Sequence, residues 1–304
     1  MPLDLANPDV ELGVPAVVVR RPRGWRTEMS GLKGVGLAMP LLVMVALFLL
    51  YPLVRMVQLA LGAPNGVGNI SKYFEQPSNL VVLRVTFVDA AIVAIISVAL
   101  GAIVAWYITV TARKIVRAAL VASIFVPFWM GSVVKLYAFT VLLERLGLVN
   151  RILLDLHIIN SPLNLIYNQF AVVLGMVYQL LPYSVLPLFV VFRSVDVDLL
   201  RAAQSLGASR ITAIRTILLP LSLPGFLAST TIVYVIGLGF FLTPVLLGGA
   251  TSPFAASFMY DDIFSYYDFT DAAVSALVLL AGAGLVLFVA SRFVGKEQLR
   301  RVLG

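Results

Sequence analysis

Residues 201–225 read RAAQSLGASRITAIRTILLPLSLPG, and how this stretch is interpreted decides how the whole chain is read. Locally it spells two short helices. Asp196 or Asp198 stands where it can cap the first, whose body LLRAAQSL puts Ala202, Ala203 and Leu206 on one face. Gly207 suits the left-handed residue that ends such a helix. Ser209 can cap the second, RITAIRTILL, which is expected to stop before Pro220 and Pro224. With Arg210 and Arg215 on it, the pair has the form of a DNA-binding helix-turn-helix. An amphipathic connector lying on a membrane would show the same local pattern, so the surrounding chain has to decide between them.

Composition decides the solvent. Of 304 residues, 61% are hydrophobic and 12% charged; a soluble domain has roughly 45–50% apolar residues and about a quarter charged. No core in water absorbs that much apolar surface. Cysteine is absent, which removes disulfides, thiolate metal sites and a thiol nucleophile, and a single histidine, His157, is too few for a histidine-based metal cluster. Six segments, at about 35–56, 82–110, 118–143, 170–192, 226–247 and 271–291, are near or above the roughly 20 residues that a bilayer core requires. None alternates with period two, so helices are expected rather than barrel strands. The fold class is therefore all-α, a polytopic membrane protein with about six transmembrane helices. No internal repeat is visible.

The distribution of charge orients these spans. With the N-terminus inside, the cytoplasmic segments hold 16 of the 22 Lys and Arg residues, the outer segments hold 3, and Arg55, Arg84 and Lys135 fall within or at the ends of spans. Both termini are thus expected in the cytoplasm. The division that follows is a cytoplasmic leader over 1–34, a permeating domain over 35–291 with an inside loop at 193–225, and a cytoplasmic tail over 292–304. The leader holds Pro2, Pro8, Pro15 and Pro22 and the basic stretch RRPRGWRTEMSGLK, and reads as an irregular tail with basic anchors. No small-residue cleavage site follows the first apolar run, so that run is an uncleaved span. The DNA reading fails on the same map. A short loop held to the bilayer at both ends, with four arginines spread along it, is a poor fit to a major groove.

The inside loop resembles the coupling loop of permease subunits of binding-protein-dependent ABC importers. In that family the pattern is Glu-Ala-Ala, three residues, Gly, nine residues, Ile, one residue, Leu-Pro; here Ala202, Ala203, Gly207, Ile217, Leu219 and Pro220 stand at those places. Arg201 occupies the position where the family most often has Glu, so an ion pair through that residue is not implied. Docking by shape, through Ala202, Ala203, Gly207 and Ala208, is. The likeness runs from the first span to the C-terminus and is nearest to the spermidine/putrescine permease subgroup. It is carried by VPFWMGSVVKLYAF (126–139), residues 147–188 and LGFFLTPVLLGG (238–249). Lys135 replaces a frequent Arg, and Phe240 stands where some polyamine permeases have an acidic residue.

The resemblance implies a type I importer fold and several partners. These are a second permease subunit, two copies of a cytoplasmic ATPase that bind ATP and Mg, and a periplasmic substrate-binding protein. It implies no cofactor and no catalytic residue in this chain, and a place in the bacterial inner membrane. Polyamine is the leading solute; relatives carry amino-acid-derived compounds or opines, phosphonate, thiamine, sulfate or ferric iron.

Candidate residues along a solute route come from the spans themselves. Asp89 and Lys135 are ionisable groups inside spans, at matching depth on this map, and are expected to pair or to face a cavity. The glycine-rich run 237–249 predicts an opened or kinked helix, with Phe240, Phe241 and Thr243 placed to line or gate it. One of the two Phe side chains should pack inward, since neighbours on a helix point about 100° apart. Trp129, Tyr137, Tyr178 and Tyr183 offer aromatic faces to an organic cation, or belong to an interfacial belt. The outer loops carry Glu75, Glu144, Asp155, Asp261, Asp262, Asp268 and Asp271, an acidic surface suited to docking a protein or concentrating a cation. Two other classes fit worse. An ion-coupled transporter calls for carboxylate relays and inverted repeats, and an intramembrane enzyme calls for a metal or Ser–His constellation within the spans.

Overall fold

The computed structural model describes residues 31–62, 65–249 and 252–303; the expected leader, up to residue 30, lies outside the described residues. Helix α1 (Gly31–Ala60) contains the boundary between two compact units, which meet at Pro52 and Leu53. In the first unit, Met39 begins a stretch that is long and apolar enough to cross a membrane. The second unit, from Leu53 onward, holds the rest of the described chain.

The second unit is built on three long helices: α3 (Pro77–Val110), α7 (Gln169–Ser194) and the run Arg210–Leu238. Two short helices flank α3: α2 (Gly68–Glu75) before it and α4 (Lys114–Trp129) after it. Then come α5 (Ser132–Leu143), α6 (Leu148–Asp155) and, beyond α7, α8 (Val197–Ser205). Pro77 opens α3, five residues before the sequence suggests, at a position where the proline's missing N–H would have no partner in any case.

Small residues let the long helices approach. The Ser184 hydroxyl, on α7, donates to the Ser97 carbonyl of α3 at 2.8 Å and shares that proton with Leu181 of its own helix. From the other side, Ser229 donates to the Ser184 carbonyl at 2.9 Å. Ser97, Ser184 and Ser229 are all fully buried. Gly101 lies directly against Ser184, and a methyl group there would collide with the hydroxyl. Gly225 makes a similar fit, with an added Cβ at 2.9 Å from the Val191 side chain. Apolar side chains fill the remainder, among them Val93, Met176, Leu180 and Val233.

Two expected spans take a different form. The third is not one helix over 118–143: α4 and the stretch from Ser132 are bent by 106° at Met130–Gly131. Pro127 interrupts the hydrogen-bond ladder, and both residues at the bend are extended. The fifth does not run from 226 to 247. It starts at Arg210 with α9 (Arg210–Ala213), passes through a π-helical segment (Ile214–Leu218) and continues as α10 (Leu219–Leu238). Pro220 and Pro224 lie inside it instead of ending it. The wider π turn just before Pro220 absorbs the missing donor and the ring. The loop expected on the inside is therefore shorter than 193–225, and its second helix is the first turn of a long apolar helix. Beyond α10 come a second π segment (Pro244–Gly248), α11 (Ala255–Phe264) and α12 (Phe269–Leu303), which carries helix on through the expected tail.

The serine contact ranks two substitutions. Ser184→Ala removes hydrogen bonds worth on average about 0.6 kcal/mol each between membrane helices. Gly101→Val forces the α3–α7 contact apart, an overpacking cost of about 1–3 kcal/mol or more. Thermal unfolding in detergent should show the larger loss for Gly101→Val; equal melting points would contradict the close approach.

Candidate functional site

The turn expected on the inside is built as its sequence directs. Asp196 caps α8, its carboxylate accepting from the Asp198 N–H at 2.9 Å. At the other end Ala208 N–H donates to the Ala203 carbonyl and Gly207 N–H to that of Gln204, each at 3.0 Å, with Gly207 at φ +90°. That pair of bonds closes the helix in a Schellman motif, and glycine meets its positive φ without strain. Ser209 then accepts from the Thr212 N–H at 3.1 Å and starts the long helix. Leu200, Ala213 and Leu218 are buried in one cluster with Val98, Ala105 and Ile108 of α3 and Phe192 of α7, and Ala203 and Ile217 pack on it. The turn is thus fastened to the bundle.

Its outer face is small and apolar. Ala202 and Gly207 are exposed and Ala208 is half-buried; Leu206 at the tip is 90% exposed and Ile211 65%. Leu206 was legible in the sequence as part of the alanine face, but its exposure depends on the Schellman turn and gave no separate signal. Arg201 pairs with Asp198 of its own helix at 2.9 Å. Both side chains are three-quarters or more exposed, and such surface pairs contribute about 0–1 kcal/mol, so Arg201 stays available. Leu219 and Pro220 are exposed on the long helix rather than in the turn.

The residues expected along the route are scattered. Asp89 is fully buried on α3, where one carboxylate oxygen accepts from the Gln169 side-chain N–H at the start of α7 and the other has no partner. Lys135, 8% exposed, lines a cavity of about 30 Å³ with Pro127, Phe128, Tyr178 and Gln179. The two do not pair: among the described residues the ion pair present is Arg201–Asp198. The bend at Met130–Gly131 removes the straight helix that matched their depths, and Gln169 takes the place of the cation beside Asp89. Tyr178 meets Phe139 edge-on, and Tyr183 meets Phe128. Trp129 is 88% exposed and Tyr137 65%, so neither faces the core of this unit.

The glycine-rich run opens as expected. Helix α10 ends at Leu238, and the chain re-forms as the π segment from Pro244. Phe240 packs into the core, while Phe241 turns to Tyr260 with ring centroids 5.2 Å apart. Thr243 does not line an open passage. It is buried and accepts from the Gln179 amide at 2.8 Å, tying the broken segment to α7. Gly175 on α7 makes room for this segment: a Cβ there would lie 2.6 Å from Leu247 and 2.9 Å from Thr243.

Residues 97–297 match the family described as binding-protein-dependent transport system inner membrane component. The chain belongs to that family. This permease is 32% identical to the spermidine/putrescine transport system permease protein PotB of Escherichia coli over 211 residues, 68% of this chain and 76% of that one. To the molybdenum transport system permease protein ModB of Mycobacterium bovis it is 27% identical over 221 residues, 71% of this chain and 80% of that one. In fold, the permease is similar to a bacterial ABC transporter involved in the import of the acidic polysaccharide alginate. The TM-score is 0.72 at 17% identity, covering 85% of this chain and 93% of the other. A chain of the inward-facing MetNI methionine ABC transporter matches at TM-score 0.54 and 18% identity, over 73% of the permease and 98% of that chain. The permease is an integral component of the inner membrane.

Near α11, burial pushes the Asp262 carboxyl from 3.8 up to about 6, and the negative charges of Asp271, Asp268 and Asp261 add to the rise. The folded permease therefore holds this proton more tightly than the unfolded chain does. The associated stability is complete below pH 3.8 and is lost as pH rises through 6. Melting temperatures at pH 5 and pH 7.5 should fall across that interval in the wild type, and by less in Asp262→Asn. An equal fall in both would contradict it.

Proposed function

We propose that this permease imports a polyamine of the spermidine/putrescine kind. In this reading it receives the solute from a periplasmic binding protein and passes it to the cytoplasm as one half of a heterodimer, driven by two copies of a separate ATPase. The observation that carries the reading is the 32% identity to PotB over two thirds of the chain. The lower identity to the molybdenum permease ModB, over a similar length, favours the polyamine over molybdenum. An acidic outer surface facing few basic residues agrees with a cationic solute.

The chain itself does no covalent chemistry in this account. ATP and Mg belong to the partner ATPases. In this reading both termini and the α8 turn lie in the cytoplasm, a placement that the excess of Lys and Arg on one side supports. There Ala202, Gly207, Ala208 and the exposed Leu206 offer a surface that a cleft in the ATPase can grip, with Arg201 at its edge. Closure of the ATPases pushes on the turn. Because α9, the π segment and α10 form one helix, the push travels from Arg210 to Leu238 and reaches the break that Thr243 holds against Gln179. Transport is then a change between two packings of the bundle, biased by nucleotide on one side and by loaded binding protein on the other.

Uptake of radiolabelled spermidine and putrescine, in cells whose own polyamine importers are deleted and which express the complete transporter, tests this reading. Saturable uptake that requires the ATPase is expected. Leu206→Glu should lower it about tenfold or more while the permease remains in the membrane, because a carboxylate must be desolvated in the cleft. Uptake of neither polyamine would overturn the solute, and full activity of Leu206→Glu would overturn the docking surface.

A further inference from the structure

A cavity of about 820 Å³ lies between the start of α3, the broken segment after α10 and helix α11, away from both Asp89 and Lys135. We propose that it is an entry site for an alkylammonium group, with Asp261 as counter-charge and the rings of Phe241 and Tyr260 as one wall. This inference rests on the polyamine reading for the cationic solute that would enter, while the n-butylammonium probe tests the site without it.

Four observations converge on an organic cation. Tyr260 stands between Phe241 and Phe264, with centroid distances of 5.2 and 4.7 Å, so an aromatic stack borders the cavity; ring faces attract ammonium groups. Asp261 lines the same space and has no cation partner among the described residues. Ser252, on the wall, is only 2% exposed, and its hydroxyl finds no hydrogen-bond partner within the protein; the Ser257 hydroxyl, also on the wall, has none either. A buried hydroxyl without a partner is costly, and an ammonium brings three N–H donors to satisfy such acceptors. Val81, Val82, Pro244 and Val245 make the rest of the lining apolar, which suits methylenes between charged ends.

The alternatives fit less well. No group of three or more His, Cys, Asp or Glu among the described residues is placed to hold a metal ion. A lipid tail would leave Asp261 and both hydroxyls unsatisfied. Asp262, Asp268 and Asp271 lie close enough to Asp261 or to one another to interact electrostatically, deepening the negative potential at the mouth without lining the cavity.

The test is equilibrium dialysis of the purified permease–ATPase complex, without binding protein, against radiolabelled spermidine and, separately, n-butylammonium. Both should bind saturably. Asp261→Asn and Tyr260→Leu should each weaken binding about threefold to fivefold, Tyr260→Phe should keep most of it, and Glu144→Gln, an acidic residue outside the cavity, should leave it unchanged. Undiminished binding by Asp261→Asn overturns the site, as does equal weakening by Glu144→Gln, which would mean diffuse attraction. Absence of n-butylammonium binding to the wild type overturns it too. Failure of the solute reading looks different: the cells take up no polyamine, while the purified complex still binds n-butylammonium through Asp261.

Discussion

Hydrocarbon offers no hydrogen bonds, so a backbone group at membrane depth must find its partner within the protein, and a buried hydroxyl gains by doing so. The arrangement of the second unit follows from this constraint. Ser184 joins three helices through its hydroxyl and its carbonyl, and Gly101 beside it permits the approach. Where helix is interrupted, the same requirement is met by side chains. Gln179 reaches Thr243 in the broken segment, and the Thr86 hydroxyl accepts from the Ala255 N–H at the start of α11. Asn150 bonds the carbonyls of Glu144 and Leu163 and the N–H of Leu163, closing the connection between α5 and α7.

In the proposed mechanism that rigidity is what lets the α8 turn transmit a push. A turn hung on flexible loops would dissipate a push, whereas here the Schellman closure at Gly207 and the Ser209 cap lead directly into twenty-nine residues of continuous helix, Arg210–Leu238. The weak points along it are specific. The π segment at Ile214–Leu218 precedes Pro220, and the helix stops at Gly239. Between them the buried cluster around Phe192 and Leu218 holds the lower end in place. In the proposed mechanism a displacement at Ala202 or Leu206 would travel along this helix towards the break near Thr243.

Much of this was legible in the residues, and the parts that were not share a cause. Apolar length located the spans, and short-range chemistry gave Asp196, Gly207 and Ser209 their capping roles, because those choices depend on a few neighbouring atoms. Proline was misread in both directions. Pro220 and Pro224 were expected to end a helix that runs on through them, and Pro127 lies where the span expected over 118–143 breaks; the outcome depends on whether a π turn or an extended pair lies next to the ring. The Asp89–Lys135 pair failed because matching depth says nothing of direction, and the bend after Trp129 changes it. The cavity at Phe241, Tyr260 and Asp261 joins three segments distant in sequence, a proximity no local pattern records.

The account stands on one claim, that the turn around Gly207 faces the cytoplasm and is held there by an ATPase. The chain has no cysteine, so a single Ser205→Cys substitution gives a unique label site. With a membrane-impermeant maleimide, the account predicts labelling in inverted vesicles but not in intact spheroplasts, and protection when the ATPase is bound. Labelling of intact spheroplasts, or no protection by the bound ATPase, would contradict it.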